Sequence, residues 1–176
     1  MPRVVLFASV APGNPDRRRR RRPMPRREAF THVKDRRQPV NLPEELERAA
    51  HFHTHLGPYL VVGLRMGRVL TRELGDEPFS YSVVARSGKR PPYSCLVDGI
   101  QVATPCTVGN GGLEVDAEKT MSVEAKNGDG RTVVVTLRPE VYERIERDCT
   151  EENQESFALD IWEMSEDELL KTGIQA

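Results

Sequence analysis

Residues 119–137 read KTMSVEAKNGDGRTVVVTL and contain two strand-forming segments around Asn127-Gly128-Asp129-Gly130. Val and Thr are frequent in both segments, and these β-branched residues fit the pleated surface of a sheet. Asn-Gly and Asp-Gly pairs tolerate the left-handed backbone that tight hairpin turns require. The stretch therefore predicts two strands, Lys119 to Ala125 and Arg131 to Leu137, that pair as an antiparallel hairpin.

Helix and strand signals alternate on the N-terminal side of this hairpin. Pro58 and Gly75 are placed as the start and stop of a long helix, and Gly63 and Gly67 lie four residues apart on it. Because glycine has no side chain, that face is expected to let another backbone approach closely. The predicted elements are a helix over 41–51, a helix over 58–75, a strand over 80–86 and a helix over 95–103.

Two further helices are predicted after the hairpin. Pro139 opens one that runs to Arg147, and Ser165 with Glu168 forms a capping box for the last one. The element order predicts an α+β fold: helix-strand-helix, then three strands in a mixed or antiparallel sheet, with flanking C-terminal helices.

Charge is distributed very unevenly along the 176 residues. Residues 1–40 hold 12 Lys and Arg against three acids, which leaves 14 basic and 24 acidic residues in 41–176. A segment this basic cannot bury enough apolar surface to offset the conformational entropy that it would lose on folding. We therefore expect residues 1–38 to be a disordered Arg-rich arm and residues 39–176 to be one domain.

The chain is expected to be cytoplasmic and not to enter a membrane. No apolar run approaches the roughly 20 residues that cross a bilayer, and six arginines follow the short apolar stretch Val4 to Val10. Met24-Pro25-Arg26 repeats the opening Met1-Pro2-Arg3, so translation from Met24 is an alternative start. The arm would bind nucleic acid only non-specifically, because it lacks interleaved aromatic residues.

The histidines and cysteines suggest a metal site. His51, His53 and His55 are clustered, and Cys95 and Cys106 follow; imidazole and thiolate are the donors that zinc prefers. His-x-His also occurs by chance, and a cysteine in a short apolar helix is often inert core. The glycine loop Gly109 to Gly112 lacks the residues of a phosphate loop and is expected to be a tight turn.

Four segments together resemble the FmdE family, the E subunits of formylmethanofuran dehydrogenase. Its pattern is an F-H-G-H-x-C-P-G opening, a G-x-R-M-G helix, a C-x-x-D-A-I-Q segment and a G-C-T-x-G-K-G-N loop. The matching segments here begin at Phe52, Gly63, Cys95 and Thr104. Together with the elements around them, they extend the resemblance over about residues 41–147.

The resemblance implies a metal site, commonly zinc, in an α+β protein that is usually a homodimer. Members are associated with the molybdenum or tungsten enzyme that captures CO₂ on methanofuran, which links this chain to one-carbon redox metabolism of the methanogenesis type. The implied ligands here are His53, His55, Cys95 and Cys106, with Asp98 supporting them from one helical turn beyond Cys95.

Three of this chain's departures from the family pattern bear on the site. Gly57 stands where the family has cysteine, Tyr59 where it has glycine, and Asn110 where the loop has lysine. If the missing cysteine is a principal ligand, His51 or water would complete the site. Two other functions are considered: an oxidoreductase or transferase with Cys106 as a reactive thiolate, and a non-enzymatic partner protein that docks through its basic arm.

Overall fold

The hairpin predicted from residues 119–137 forms the centre of a five-stranded sheet in a computed structural model that describes residues 42–175. The predicted arm, residues 1–38, lies outside the described residues. The helices are α1 (Glu44–His53), α2 (Pro58–Leu74), α3 (Cys95–Ala103), α4 (Pro139–Asp148), α5 (Gln154–Glu163) and α6 (Glu166–Leu169). The strands are β1 (Tyr81–Ser87), β2 (Leu113–Val115), β3 (Lys119–Asn127), β4 (Thr132–Leu137) and β5 (Leu170–Gln175).

The sheet is mixed, with strand order β2-β1-β3-β4-β5. β1 and β2 are parallel because α3 carries the chain back between them, and the other neighbours are antiparallel. The predicted α+β class is therefore confirmed. In the turn, the side chain of Asn127 accepts hydrogen bonds from the backbone N–H groups of Asp129 and Arg131, which fixes the hairpin register.

Helix α2 is buried on nearly every side, between the sheet, α3 and α5. Its residues from Pro58 to Leu64 are all buried, and so are Met66, Val69 and Leu70 further along. A helix that is apolar all round belongs in the interior of a domain. α2 therefore organises the core, and it brings the start of α3 close to its own first turn.

The crossing of α2 and α3 depends on three glycines. A Cβ on Gly63 would lie 2.0 Å from the carbonyl oxygen of Leu96, and one on Gly99 would lie 2.2 Å from that of Leu60. A Cβ on Gly67 would lie 2.6 Å from the Cβ of Ala103. The close approach expected at Gly63 and Gly67 is thus present, and the neighbour is α3.

Arg65, the arginine of the G-x-R-M-G segment, has a structural role. Its Nη1 donates hydrogen bonds to the carbonyl oxygens of Trp162 (2.6 Å) and Met164 (2.8 Å) at the end of α5. The last carbonyls of a helix have no partner within the helix. Arg65 supplies one from α2 and so ties the C-terminal helices to the core.

Most predicted elements are present within a few residues, and two elements are additional. The capping box of Ser165 and Glu168 forms with both of its hydrogen bonds, but the helix it opens has only four residues. The first of the three strands expected after α3 is β2, and the elements not predicted are α5 and β5. Within residues 42–175 no helix is long and apolar enough to span a membrane.

Candidate functional site

A sharp turn between α1 and α2 places two of the predicted histidines beside the start of α3. Thr54 follows α1 in the left-handed conformation, with φ +78°, and Gly57 then runs extended into α2. Four residues thus reverse the chain direction between two helices. The rings of His53 and His55 lie next to each other, with centroids 4.5 Å apart.

His53 has one nitrogen bound and one buried without a partner. Its Nδ1 lies 2.6 Å from Oδ2 of Asp98, whose other oxygen accepts a hydrogen bond from Gln101. A carboxylate only accepts, so Nδ1 carries a proton, and in the neutral imidazole Nε2 then presents a lone pair. Nε2 is buried and has no hydrogen-bond partner among the described residues.

His55 faces a cavity of about 460 Å³ together with Gly57 and Cys95. Burial and the neighbouring His53 both lower the pKa of His55, which favours the neutral imidazole. Cys95 also lines a second cavity, together with His53 and Asp98. It therefore borders both the cavity of His55 and that of His53. Burial and the Asp98 charge raise the pKa of Cys95, which keeps the free thiol protonated.

Cys106 is not brought to these cavities. It is buried beyond the opposite end of α3, and its Sγ donates to the carbonyl oxygen of Tyr81 at 3.3 Å. α3 spans about 12 Å between Cys95 and Ala103 at 1.5 Å per residue. Burial raises the pKa of Cys106, whereas a reactive thiolate needs an exposed sulfur with a lowered pKa.

The third cysteine, Cys149, lines the same cavity as His55 and Cys95. It follows α4 directly, and burial and the charge of Glu146 raise its pKa. Its position had no signal in the sequence, because it is isolated by 43 residues from Cys106 and belongs to no motif. Tertiary packing of α4 against the start of α2 puts it there.

Across residues 42–175 no three His, Cys, Asp or Glu side chains converge closely enough to hold a metal ion. The donor chemistry nevertheless fits zinc, since a His ligand usually donates its second ring nitrogen to a carboxylate, as His53 does to Asp98. The orphaned Nε2 is the atom that would bind the ion. His53, His55 and Cys95 are therefore suitable in kind, but in this arrangement they do not converge on one point.

The position of the missing family cysteine has room for a side chain. A Cβ on Gly57 would lie 3.6 Å from Nε2 of His55 and 3.9 Å from Oε1 of Gln154, both ordinary contact distances. The backbone of Gly57 is extended (φ −143°), a conformation that any residue adopts. Gly57 therefore enlarges the cavity at the point nearest to His55.

A carboxylate held by tyrosines forms the other wall of this cavity. Glu146 on α4 accepts hydrogen bonds from the hydroxyls of Tyr59 (2.6 Å) and Tyr93 (2.7 Å), with Tyr142 at 3.4 Å. Burial alone would raise the pKa of Glu146, but these phenols and the Lys119 charge outweigh it and lower the pKa. The carboxylate is therefore ionised.

The glycine loop is a closed turn, as expected. The side chain of Asn110 accepts hydrogen bonds from the backbone N–H groups of Thr107 and Gly112, and Gln101 accepts one from that of Val108. These N–H groups are already satisfied, so they cannot cradle a phosphate. Asn110, which replaces the lysine of the family loop, holds the turn together.

Comparison with known proteins finds a matching family model, and the proteins similar to this chain include a solved structure and a curated protein. Residues 52–171 match the family model described as FmdE, molybdenum formylmethanofuran dehydrogenase operon. A crystal structure from Syntrophus aciditrophicus, of a protein like the E subunit (FmdE) of tungsten formylmethanofuran dehydrogenase, superposes with a TM-score of 0.55 at 26% identity. That superposition covers 75% of this chain and 70% of the other.

The second relative is a probable S-adenosyl-L-methionine-binding protein from Archaeoglobus fulgidus. It is 34% identical over 98 residues, which are 54% of this chain but only 27% of that protein. The chain thus spans about a quarter of this relative's length.

Proposed function

The chain belongs to the FmdE family, and on that premise we propose that it is a zinc-binding protein related to the E subunit of formylmethanofuran dehydrogenase. Its role would be in one-carbon redox metabolism of the methanogenesis type. We propose that it acts in the cytoplasm as a homodimer, associated with the subunits of a molybdenum or tungsten formylmethanofuran dehydrogenase.

One observation carries the metal-binding proposal: the buried, unpartnered Nε2 of His53. An unsatisfied polar atom in a protein interior costs free energy, so a binding partner for it is expected. Asp98 fixes the proton on Nδ1 and turns the lone pair of Nε2 toward the interior. This arrangement supports a role for His53 as a metal ligand that Asp98 orients.

His53, His55 and Cys95 are the residues that would hold the ion. Zinc bound there would act as a Lewis acid if a fourth position stayed open to water or substrate. Gly57 favours an open position, because no thiol is present where the family has one. Asp98 keeps the His53 ring in place, and the apolar walls around Cys95 limit the access of bulk water.

Elemental analysis and cobalt substitution of the purified protein test this proposal. We expect about one zinc per chain after reconstitution, and a Co²⁺ derivative with a thiolate-to-cobalt charge-transfer band. His53→Ala and Cys95→Ser should each lower the metal affinity at least tenfold. His51→Ala is the matched control: the sequence also allowed His51 as a ligand, but it lies on α1 and lines neither cavity.

The proposal also makes a distinction among the cysteines. Cys106→Ser should leave the charge-transfer band unchanged, because its thiol is bonded to Tyr81 beyond the far end of α3. Loss of metal in Cys106→Ser but not in Cys95→Ser would contradict the site as proposed. Failure of the unaltered protein to bind Zn²⁺ or Co²⁺ would contradict metal binding altogether.

A further inference from the structure

The cavity beside His55 has walls that present hydrogen-bond acceptors and carry negative charge. Its polar lining includes the carboxylates of Glu146 and Glu151, and no lysine or arginine is among the described residues that line it. The thiol of Cys149 is neutral because burial and the charge of Glu146 raise its pKa. A ligand that satisfies these walls must bring donors and positive charge.

Glu146 is fixed in place before any ligand arrives. Tyr59 reaches it from α2 and Tyr93 from the turn before α3, so elements far apart in sequence hold the two oxygens. An ionised carboxylate offers about four acceptor sites. Three phenols leave at least one of these sites free, and rigidity of this kind lowers the entropy cost of binding.

Glu146 has no basic partner within 4 Å among the described residues. The charge of Lys119 acts on Glu146, but its ammonium lies over the ring of Tyr93, 3.2 Å from the ring centroid. Lys119 thus contacts the outer aromatic face and does not neutralise the carboxylate by direct pairing. The negative charge at the cavity wall remains available.

The rest of the cavity suits the carbon body of a small molecule. Pro58, Pro92 and Ile145 provide apolar surface, and the ring of Tyr59 packs edge-on against Tyr93 at 5.3 Å. Aromatic faces also attract cations. A volume of about 460 Å³ falls in the range of small-molecule sites.

We infer that this cavity binds a small organic molecule that presents a protonated amine to Glu146, with Tyr59 and Tyr93 holding the carboxylate in position. The inference goes beyond metal binding and does not depend on it, because Glu146 and its tyrosines are not among the proposed ligands. Tyr59 replaces the glycine of the family pattern, so this anchor is a feature of this chain.

Isothermal titration of the full-length protein with benzylamine and benzyl alcohol tests the inference. The two probes have the same shape, but only benzylamine carries a positive charge at neutral pH. The protein is first treated with a chelator, so that coordination of the amine to a metal cannot account for binding. We expect benzylamine to bind at least tenfold more tightly than benzyl alcohol.

Two variants on α4 locate the binding site. Glu146→Gln keeps the shape of the side chain and removes its charge, so the preference for benzylamine should disappear. Glu143→Gln, on the exposed side of the same helix, should leave it unchanged. Thermal melts of both variants verify that they fold.

Three results would overturn the inference: no binding of benzylamine, equal binding of the alcohol, or an unchanged preference in Glu146→Gln. These outcomes are independent of the zinc measurements. The protein could bind benzylamine without binding zinc, or zinc without benzylamine, and the two measurements would distinguish these cases.

Discussion

Gly57 shows how one residue changes what a site can hold. A side chain at this position would point toward Nε2 of His55 without a steric clash. Since the backbone there is extended, any amino acid can adopt the conformation. The absence of a thiol is therefore a chemical difference from the family pattern and not a consequence of crowding.

Gly57→Cys should raise the zinc affinity about tenfold or more, because it adds a thiolate donor beside His55. Competition with a chromophoric chelator measures the change. Gly128→Cys is the control: it adds a thiol in the hairpin turn, where a Cβ meets nothing within 4 Å. Equal affinity of Gly57→Cys and the unaltered protein would argue against a metal at this position.

Glu146 should contribute to stability at neutral pH and lose that contribution in acid. Its pKa is lowered from 4.5 in the folded protein, so the folded state binds its proton less readily than the unfolded state. The contribution is complete above the unfolded pKa and disappears as the pH falls through the folded value. The melting temperature of Glu146→Gln should therefore lie below that of the unaltered protein at about pH 6, and the gap should shrink as the pH falls below 4.5.

Glu143→Gln provides the comparison for this pH profile, since its carboxylate is exposed on the same helix. A gap of constant size for Glu146→Gln from neutral pH to acid would mean that the charge of Glu146 is not what stabilises the fold.

Parts of the site could be predicted from the sequence, and others could not. His53, His55, Cys95 and Asp98 belong to short motifs, and all of them line the two adjoining cavities. Cys106 also belongs to a motif, but its contacts depend on where β1 begins. Glu146 and Cys149 reach the cavity only because α4 packs near the start of α2. No local sequence pattern indicates that packing.

At the scale of elements, the α2–α3 crossing is the most specific feature of the core. Backbone atoms of one helix fill the space where side chains of the other would stand. Such a contact cannot relax by rotating a side chain, because a carbonyl group belongs to the hydrogen-bonding pattern of its own helix.

Gly63→Ala should destabilise the protein by about 3 kcal/mol, even though alanine is the better helix former by about 1 kcal/mol. The added methyl would lie 2.0 Å from the Leu96 carbonyl oxygen. Urea denaturation measures the free energy of unfolding. Gly128→Ala, in open space, should change it little, and a neutral or stabilising Gly63→Ala would show that the helices are further apart.

The elements that sequence patterns missed, or expected without bounds, are those that tertiary contacts create. β2, the first of the three strands expected after α3, has only three residues and forms because α3 brings it beside β1. β5 is mostly exposed and polar, and the neighbouring β4 gives it strand geometry by pairing from Leu137 to Thr132. α5 had a weak local signal in Phe157, Ala158 and Ile161, which now form its buried face.

For the whole molecule, residues 42–175 contain a continuous buried core from Leu46 to Leu170. Residues 1–39 carry most of the basic excess and few apolar side chains. We therefore expect a chain that begins at Val40 to melt within about 2 °C of the full-length protein. Differential scanning calorimetry of the two chains checks this, and a loss of several degrees would mean that the basic segment contributes to the folded core.

The position of β5 affects how the protein is made. Strand β4 contains Val133, Val134 and Val135, and its outer edge pairs only with residues 170–175. Residues 170–175 are synthesised after β4, so until they emerge the growing chain presents a valine-rich edge with unpaired backbone groups. Deleting β5 would make that transient exposure permanent, and an affinity tag is therefore better placed away from Gln175.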